Sequence, residues 1–322
     1  MIVVTGGAGF IGSCIVASLN ERGRTDIFVV DHLESGAQKC RNLAGKNYVD
    51  YFDKKEFLHL IMSDQVYEPI DAVIHMGACS STTLSDQQYY RENNFEYSCH
   101  VARWALARKA RLIYASSAAT YGDGELGYSD DDDVTRRLQP LNYYGESKQQ
   151  FDVWILNQGL ERQCVGLKFF NVFGPNEYHK GDMRSVVAKT YQRVAREGRI
   201  SLFKSYKPEY ADGEQKRDFI YVKDVVDVVL FFMDHPEQNG IFNVGTGQAR
   251  TWNDLAKAIF AAVGKSPVIE YVDMPGHLRP RYQYFTQAVM AKLRKAGYMK
   301  EFISLEDAVR DYVPYLAKEN TL

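Results

Sequence analysis

The chain has 322 residues, of which 45% are hydrophobic and 25% charged, as in a globular protein with one large domain or two closely packed ones. Lys and Arg total 39 and Asp and Glu total 41, so the charge balance predicts no general binding to nucleic acid or to an anionic membrane. No apolar run is long enough to span a bilayer, and the five cysteines form no Cys-x-x-Cys pair. We therefore expect a cytoplasmic protein with reduced thiols and no metal site.

Short apolar runs rich in β-branched residues alternate with helical patterns through the first half of the chain. The predicted strands are Ile2–Thr5, Ile27–Asp31, Ala72–His75, Arg111–Ser116 and Cys164–Phe170. The predicted helices are Ile11–Arg22, Lys54–Met62, Asn93–Arg108 and Tyr144–Asn157. The strands are apolar throughout, as in strands buried on both faces of a parallel sheet. This alternation predicts a doubly wound α/β fold with a parallel sheet, of the Rossmann type.

The second half of the chain is less regular. An acidic run at Asp130–Asp133 is expected to be solvated loop, and Gly174–Gly181 and Tyr206–Lys216 also have loop composition. Further on, the patterns predict strands at Asp218–Val222 and Ile241–Val244 and helices at Asp182–Arg196, Lys223–Met233, Trp252–Val263 and Leu305–Ala317.

Three glycines follow the first predicted strand at three-residue spacing. Gly6 permits a tight turn, Gly9 lets the backbone approach a pyrophosphate, and Gly12 lets the next helix pack closely on the strand. The pyrophosphate would then lie on free N–H groups at the positive end of that helix. A strand before the glycines and a helix after them are the context that a dinucleotide-binding turn requires, so the sequence predicts a bound nicotinamide dinucleotide.

The second predicted strand ends in an acidic residue at the spacing expected for contact with the adenosine ribose. Asp31 would accept hydrogen bonds from the adenosine ribose, which favours NAD. His32, Lys39 and Arg41 follow it, and cations there could hold the 2′-phosphate of NADP. These residues alone leave both cofactors open.

Tyr144 and Lys148 form a Tyr-x-x-x-Lys pair on one face of a predicted helix. The ammonium group is expected to favour the phenolate and to lower the tyrosine pKa below its usual value of about 10. A tyrosine of this kind can exchange a proton with a substrate hydroxyl. Ser117, at the end of a predicted buried strand, is placed to hydrogen-bond the reacting oxygen.

These features resemble the extended short-chain dehydrogenase/reductases that act on nucleotide sugars, over nearly the whole chain. The stretches that carry the resemblance are Gly6–Gly12, His75–Thr83, Ala115–Gly122, Tyr144–Lys148, Phe169–Pro175, His179–Gly181, Lys216–Phe219, Phe242–Gly247 and Tyr282–Gln287. Within this family, the stretches Gly-Ala-Cys-Ser and His-Lys-Gly are most similar to the corresponding stretches of the enzymes that invert C6 of an ADP-activated glycero-manno-heptose.

The resemblance implies an epimerase with a tightly bound NADP. C6 of the heptose would be oxidised to a transient 6-keto group and reduced again from its other face, supplying a precursor of the lipopolysaccharide core. Tyr144 and Lys180 would handle protons on the two faces, with Ser117 and Lys148 in support. From the residues alone, Lys180 is expected to be a solvated lysine in a glycine-flanked loop. The family also implies a homo-oligomer.

The resemblance further implies which side chains line the two ligands. The cofactor residues would be Gly6, Gly9, Phe10, Ile11, Gly12, Asp31, His32, Lys39, Lys54, Met76, Gly77, Ala78, Cys79, Ser80, Asn93, Lys148, Val172 and Lys180. The residues around the ADP-heptose would be Asn171, Asp182, Lys189, Phe203, Lys204, Ser205, Tyr206, Arg217 and Tyr282. The residue type of Arg217 supports its assignment independently of the resemblance, because a guanidinium can bind a diphosphate in bidentate fashion.

The same pattern predicts two domains. Residues 1–170 plus 219–246 would form the dinucleotide-binding Rossmann domain, and residues 171–218 plus 247–322 a smaller α/β substrate-binding domain.

Two other readings remain open from the sequence. A nucleotide-sugar 4-epimerase would use the same residues, whereas a 4,6-dehydratase needs an acid/base pair where this chain has Ala118 and Ala119. A non-catalytic dinucleotide-binding regulator could keep the glycine turn, but would have no need of Tyr144 and Lys148.

Overall fold

The computed structural model of the protein describes residues 1–32, 37–82, 84–276, 278–279 and 282–322. The strands are β1 (Ile2–Thr5), β2 (Ile27–Asp31), β3 (Asp50–Asp53), β4 (Ala72–His75), β5 (Arg111–Ser117), β6 (Cys164–Phe169), β7 (Asn171–Phe173), β8 (Ile200–Phe203), β9 (Lys216–Tyr221), β10 (Gly240–Val244), β11 (Ala249–Thr251) and β12 (Ile269–Val272). The helices are α1 (Phe10–Glu21), α2 (Ala37–Cys40), α3 (Lys54–Met62), α4 (Gln87–Tyr90), α5 (Tyr97–Ala107), α6 (Asp132–Thr135), α7 (Tyr143–Asn157), α8 (Val186–Glu197), α9 (Val222–Asp234), α10 (Trp252–Ala262), α11 (Ala291–Lys295) and α12 (Leu305–Lys318).

Seven strands form one parallel sheet in the order β10-β6-β5-β4-β1-β2-β3. In this sheet Thr5 of β1 lies beside His75 of β4, and His75 lies beside Tyr114 of β5. The chain order reverses between β1 and β4, so the loops that follow these two strands open a crevice at the carboxyl edge of the sheet. The predicted doubly wound α/β fold is confirmed.

Side chains of β1 alternate between two apolar cores, one on each face of the sheet. Ile2 and Val4 belong to the core that α1 and α9 cover, whereas Val3 belongs to the core with Phe57 of α3 and Phe151 of α7. A strand that is buried on both faces needs apolar residues at every position. This is why the strands of this sheet lack polar alternation in the sequence.

Two small sheets accompany the main one. Strands β7, β9 and β11 form one of them, and β8 pairs with β12 in the other. The sequence analysis did not predict β3, β7, β8, β11 or β12, because these short strands are only partly buried and lack the continuous apolar run of β1 and β4. Strand β10 returns to the main sheet beside β6. The proposed division into two domains stays a prediction.

Several helix bounds differ from the prediction for local reasons. The helix predicted from Asp182 begins at Val186, because Ser185 caps it by accepting a hydrogen bond from the Ala188 amide at 3.2 Å. The helix predicted at Asn93–Arg108 is divided into a π-helical turn, Arg91–Glu96, and α5. Such turns are common at functional sites.

The prediction for the acidic run was wrong at Asp130. Its side chain is only 2% exposed, and its carboxylate accepts a hydrogen bond from the backbone amide of Asn243 at 2.8 Å. Lys292 donates to the Asp130 carbonyl, and α6 begins two residues later. Tertiary partners that are distant in sequence therefore bury the first member of the run.

Among the described residues, no helix is long and apolar enough to cross a membrane. In the same part of the chain, no group of His, Cys, Asp and Glu side chains is arranged to hold a metal ion. The five cysteines are free thiols, and Cys14, Cys99 and Cys164 are buried.

Candidate active site

The glycine turn lies between β1 and α1, and its backbone leaves no room for side chains. A Cβ on Gly12 would lie 2.2 Å from the Gly6 carbonyl oxygen, and one on Gly6 would lie 2.7 Å from Gly77. Gly6 also has a φ of +65°, which favours glycine. Gly9 precedes Phe10 and Ile11 in the first turn of α1. The turn thus brings a bare helix N-terminus to the crevice, as a pyrophosphate requires.

The end of β2 lies beside this turn, and its last residue forms an ion pair. Asp31 is 6% exposed, accepts a hydrogen bond from the Ala8 amide at 3.0 Å and pairs with the Lys39 ammonium. The His32 ring lies 3.3 Å from the Asp53 carboxylate. Arg41 instead points away, toward Glu319. The structure therefore brings Asp31, His32 and Lys39 together but not Arg41.

The loop after β4 forms the next wall of the crevice and contains Met76, Gly77, Ala78, Cys79 and Ser80. Asn94 holds Cys79 by two backbone hydrogen bonds, at 2.8 and 2.9 Å, and also donates to the Ser147 hydroxyl. Ser147 in turn donates to the Tyr144 carbonyl at 2.7 Å. This chain of hydrogen bonds connects the predicted cofactor loop to the helix with the predicted catalytic tyrosine.

The π-helical turn supplies both asparagines at this wall. Asn94 faces Cys79, and Asn93 accepts a hydrogen bond from the Lys54 ammonium at 2.6 Å. Lys54 begins α3, directly after Asp53. The sequence analysis named Lys54 and Asn93 but missed Asn94, which is fully buried.

Under this wall, the His75 ring connects Thr5 to Ser98 through a chain of hydrogen bonds. The Gly77 amide donates to the Thr5 hydroxyl, which is 2.6 Å from His75 Nδ1, and His75 Nε2 is 2.8 Å from the Ser98 hydroxyl. Ser98 itself donates to the Asn94 carbonyl. Because that uses the Ser98 proton, Nε2 must be the donor and Nδ1 the acceptor of a neutral ring. Burial accordingly lowers the pKa of His75 to about 3.

Tyr144 lies in the first turn of α7, beside the end of β5. Its pKa is raised by burial, and hydrogen bonding with Ser117 opposes the rise. Ser117 ends β5 and also accepts a hydrogen bond from the Ala119 amide at 3.1 Å, so the same hydroxyl caps the turn that follows. The structure therefore brings the phenol and the serine together at the carboxyl edge of the sheet.

The expected effect of Lys148 on Tyr144 was wrong for this structure. The ammonium of Lys148 donates to the Ala115 carbonyl at 2.8 Å, and burial lowers its pKa to about 8. Burial dominates at the phenol, so the pKa of Tyr144 is raised rather than lowered. Spacing on a helix places two side chains on one face, but it does not fix which atom the ammonium contacts.

A buried polar network below this pair was not predicted. Lys168 and Asp152 form an ion pair at 2.7 Å, and both side chains are fully buried. Asp152 also accepts from Ser116 at 2.6 Å and from Tyr114 at 3.0 Å, and Lys168 donates to Thr120 at 2.9 Å. The network joins β5, β6 and α7. The lysine in the otherwise apolar run Cys164–Phe169 was the available signal.

Lys180 lies in a 3-10 segment, Tyr178–Met183, rather than in open loop. Its ammonium is 5.2 Å from the centre of the Phe10 ring at the start of α1, and burial lowers its pKa. The solvated-loop expectation from composition was therefore wrong, because the segment folds back onto the glycine turn. His179 beside it lies 3.3 Å from Asn42, and burial lowers the pKa of His179 to about 4.

Arg217 is a buried cation among aromatic rings. It is 7% exposed, and its guanidinium is 5.2 Å from the Tyr282 ring centre and 5.8 Å from that of Trp252. Within the described residues no Asp or Glu forms an ion pair with it, and burial lowers its pKa. Since buried charges are normally paired, this guanidinium fits an anionic ligand group.

The segment from Phe203 to Tyr206 begins at the last residue of β8 and is partly exposed. The Tyr206 hydroxyl donates to Asp273 at 3.0 Å, and Lys204 pairs with the same carboxylate at 3.2 Å. The Arg279 guanidinium stacks on the Tyr206 ring, 3.7 Å from its centre. Sequence reasoning missed Arg279 and Asp273, and the short surrounding pattern contained no motif that would have indicated them.

The remaining predicted substrate residues lie around β7 and α8. Asn171 is exposed at the start of β7, Val172 follows it, and β7 pairs with β9 so that Asn171 lies beside Phe219. Asp182 and Lys189 are also exposed, on the 3-10 segment and on α8. These three polar side chains are therefore accessible to a ligand.

The chain matches the NAD dependent epimerase/dehydratase family over residues 2–245. It is 54% identical over 318 residues to the ADP-L-glycero-D-manno-heptose-6-epimerase of Nitratidesulfovibrio vulgaris, with 98% of each chain covered. The fold resembles that of the Helicobacter pylori ADP-L-glycero-D-manno-heptose-6-epimerase with a TM-score of 0.82 at 28% identity, covering 98% of this chain and 96% of that one. A UDP-N-acetylglucosamine 4-epimerase from Methanobrevibacter ruminantium also gives 0.82, at 25% identity, covering 99% and 98%.

The two solved structures fit the chain equally well, so shape alone does not distinguish the sugar carbon. The sequence match is more specific, because it extends over nearly the full length at high identity. The glycine turn, Tyr144 and Ser117 all fall within the residues that the family description covers, which establishes a nicotinamide dinucleotide as the cofactor class. The chain belongs to the NAD dependent epimerase/dehydratase family.

Proposed function

We propose that the protein inverts C6 of an ADP-activated glycero-manno-heptose, interconverting ADP-L-glycero-D-manno-heptose and its C6 epimer. The observation that carries this proposal is the Tyr144 phenol beside Ser117, at the crevice edge that the glycine turn also reaches. The identity of 54% to a 6-epimerase supports the choice of sugar and carbon. The product would serve the lipopolysaccharide core, as the resemblance of the sequence implies.

The chain's own residues divide the proton chemistry between them. The dinucleotide, when bound, supplies the hydride acceptor and donor. Burial raises the pKa of Tyr144 and lowers that of Lys180. We assign the two groups to proton donation and acceptance at the C6 oxygen, one on each face. Ser117 is placed to hydrogen-bond the C6 oxygen while a transient 6-keto group exists, and Lys148 stays fixed on β5 beside them. Two groups on opposite faces of C6 suit an inversion.

Arg217 is the group that we assign to the diphosphate of the sugar nucleotide. Its guanidinium lacks a carboxylate partner in the described residues and lies beside the rings of Tyr282 and Trp252. The Tyr282 hydroxyl accepts a hydrogen bond from the Trp252 indole at 2.9 Å, which fixes both rings. We place Asn171, Asp182, Lys189 and the residues from Phe203 to Tyr206 around the rest of the substrate.

We further propose that the cofactor is NADP. The Lys39 ammonium pairs with Asp31 and removes the repulsion that a lone carboxylate would exert on a 2′-phosphate. His32 lies next to the same pair. Mass spectrometry of the cofactor released from denatured, purified protein tests this choice. We expect NADP, and release of NAD alone would contradict the assignment. A cytoplasmic homo-oligomer is part of the same proposal, and light scattering on the purified protein should show more than one subunit.

Product analysis separates this function from the nearest alternative. The purified protein is mixed in parallel with the C6 epimer of ADP-L-glycero-D-manno-heptose and with UDP-glucose, and the products are identified by NMR. We expect inversion at C6 of the heptose and no turnover of UDP-glucose. Inversion at C4 of UDP-glucose without turnover of the heptose would establish a 4-epimerase instead.

A further inference from the structure

The segment that places Lys180 over the glycine turn has an irregular backbone. Asn176, two residues before the Tyr178–Met183 segment, has a φ of +75°, and Gly181 inside the segment has a φ of +52°, so the helical geometry is interrupted at Gly181. A six-residue segment with such an interruption is too short to be stable as an isolated helix. Its position at the site must therefore come from contacts with the surrounding structure.

Glu177 supplies those contacts from a buried carboxylate. Its side chain is 1% exposed, and in the part of the chain that the structure describes it forms no ion pair with Lys or Arg. Instead it accepts hydrogen bonds from the Gly174 amide at 3.2 Å, from the Ser185 amide, from the Ser185 hydroxyl at 2.7 Å and from the Tyr312 hydroxyl at 3.0 Å. Four neutral donors thus satisfy one buried negative charge.

These donors lie on both sides of Lys180 in the chain. Gly174 precedes the segment and Ser185 follows it, so the carboxylate closes residues 174–185 into a loop with tied ends. The Glu177 carbonyl also accepts a hydrogen bond from the Lys180 amide at 3.0 Å. Tyr312 is fully buried on α12, so its hydrogen bond connects the Glu177 carboxylate to a helix that is distant in the sequence.

We propose that Glu177 is a positioning residue that holds Lys180 at the reacting carbon, an inference that rests on the proposed function. It acts through the loop geometry and contacts neither substrate nor cofactor. Its negative charge also opposes the lowering of the Lys180 pKa that burial causes. Misplacing a proton-handling group by about 1 Å can cost ~10²-fold in rate.

The test compares how fast each C6 epimer reduces the bound cofactor in a single turnover, followed by the absorbance of reduced nicotinamide. The variants are Glu177→Gln, which keeps the size but turns one acceptor toward the Ser185 amide into a donor, and Lys180→Met. Since Lys180 serves one face, Lys180→Met should slow one epimer more than the other. Glu177→Gln should slow the same epimer by ~10²-fold, with an unchanged melting temperature and cofactor content.

Asp224→Asn is the matched control. Asp224 is also a fully buried carboxylate that accepts a backbone hydrogen bond, from Ile303 at 3.0 Å, but it lies at the start of α9 away from Lys180. This variant should keep the wild-type ratio between the epimers. If Asp224→Asn changed the ratio as much as Glu177→Gln, the specific role of Glu177 would be refuted.

Tyr312→Phe keeps the test decisive if Glu177→Gln does not fold. It removes one hydroxyl donor and should slow the same epimer to a smaller extent. Equal slowing of both epimers by either Glu177→Gln or Tyr312→Phe, or wild-type ratios in both, would overturn the proposal. Failure of the wild-type protein to convert either epimer is a different result, because it contradicts the proposed function itself and the Glu177 role with it.

Discussion

At the scale of single residues, burial disfavours the charged forms of several ionisable groups at the candidate site, and one buried cation there lacks an acidic partner among the described residues. Tyr144, Lys148 and Lys180 all have pKa values that burial shifts against the charged form. Arg217 keeps its charge but has no acidic partner among the described residues. Shifted and uncompensated groups of this kind are typical of functional sites.

Replacement of Tyr144 gives the first prediction. Tyr144→Phe removes only the hydroxyl, so folding and cofactor retention should remain while turnover falls by ~10²- to 10⁴-fold. The adjacent Tyr143 is 38% exposed and lies outside the site, so Tyr143→Phe is the matched control and should turn over normally. Steady-state rates for both variants check the assignment, and equal rates for Tyr144→Phe and wild type would remove Tyr144 from the mechanism.

Arg217 should show opposite effects on stability and on binding. Arg217→Met removes a buried, unpaired charge, so we expect the free energy of unfolding of the ligand-free protein to rise by ~1 kcal/mol. Loss of the guanidinium should weaken ADP-sugar binding by ~10- to 100-fold. Urea unfolding and calorimetric titration measure the two quantities. Arg250→Met is the control, since Arg250 pairs with Asp254 and Glu306 at the surface; unchanged ADP-sugar binding by Arg217→Met would exclude the diphosphate role.

His75 should make the protein sensitive to acid. The folded protein holds the ring neutral with a pKa of about 3, whereas the unfolded chain binds the proton near its ordinary value of 6.5. As pH falls below ~6.5, the unfolded state binds more protons, so the free energy of unfolding decreases by up to ~1.4 kcal/mol per pH unit until the folded pKa is reached. Urea unfolding at a series of pH values should show a shallower decline for His75→Asn. Identical slopes in both proteins would contradict the neutral form of the His75 ring.

At the scale of the elements, the sequence predicted six of the seven strands of the main sheet and the helices next to them closely, because burial on two faces imposes continuous apolar runs. It missed β3, which is only partly buried. Helix α3 has the predicted bounds, Lys54–Met62. The sequence could not show the burial of Asp130, the π-helical turn or the hydrogen bonds to the Glu177 carboxylate, because each depends on partners far away in the chain. The site was predicted from motifs at Gly6–Gly12 and Tyr144–Lys148. The motifs did not show that the Lys148 ammonium contacts the Ala115 carbonyl.

The buried pair of Lys168 and Asp152 is the contact that joins three of these elements. Lys168→Met leaves the Asp152 carboxylate buried without a cation and should lower the free energy of unfolding by ~3–5 kcal/mol. Adding Asp152→Asn to that variant removes the uncompensated charge and should recover part of the loss. Denaturant unfolding of the single and double variants measures the coupling. Additive losses would show that the two side chains do not act as a pair.

At the scale of the whole molecule, two ligands with diphosphate groups meet a protein whose net charge is close to zero. The formal charge is -2, yet Lys148 and Arg217 are buried cations and Lys180 is half-buried over the Phe10 ring. The main sheet presents the glycine turn and Tyr144, while β7 and β9 of the small sheet present Asn171 and Arg217. In the proposed assignment, the main sheet therefore carries cofactor residues and the small sheet carries substrate residues.

The fate of the hydrogen on C6 tests the central claim most directly. The C6 epimer of ADP-L-glycero-D-manno-heptose, labelled with deuterium at C6, is converted by the purified protein in ordinary water and the product is examined by NMR. If C6 is oxidised and reduced again within one closed site, the product should have the inverted configuration and keep its deuterium. Inversion with loss of the label to water, or recovery of uninverted heptose only, would contradict the account.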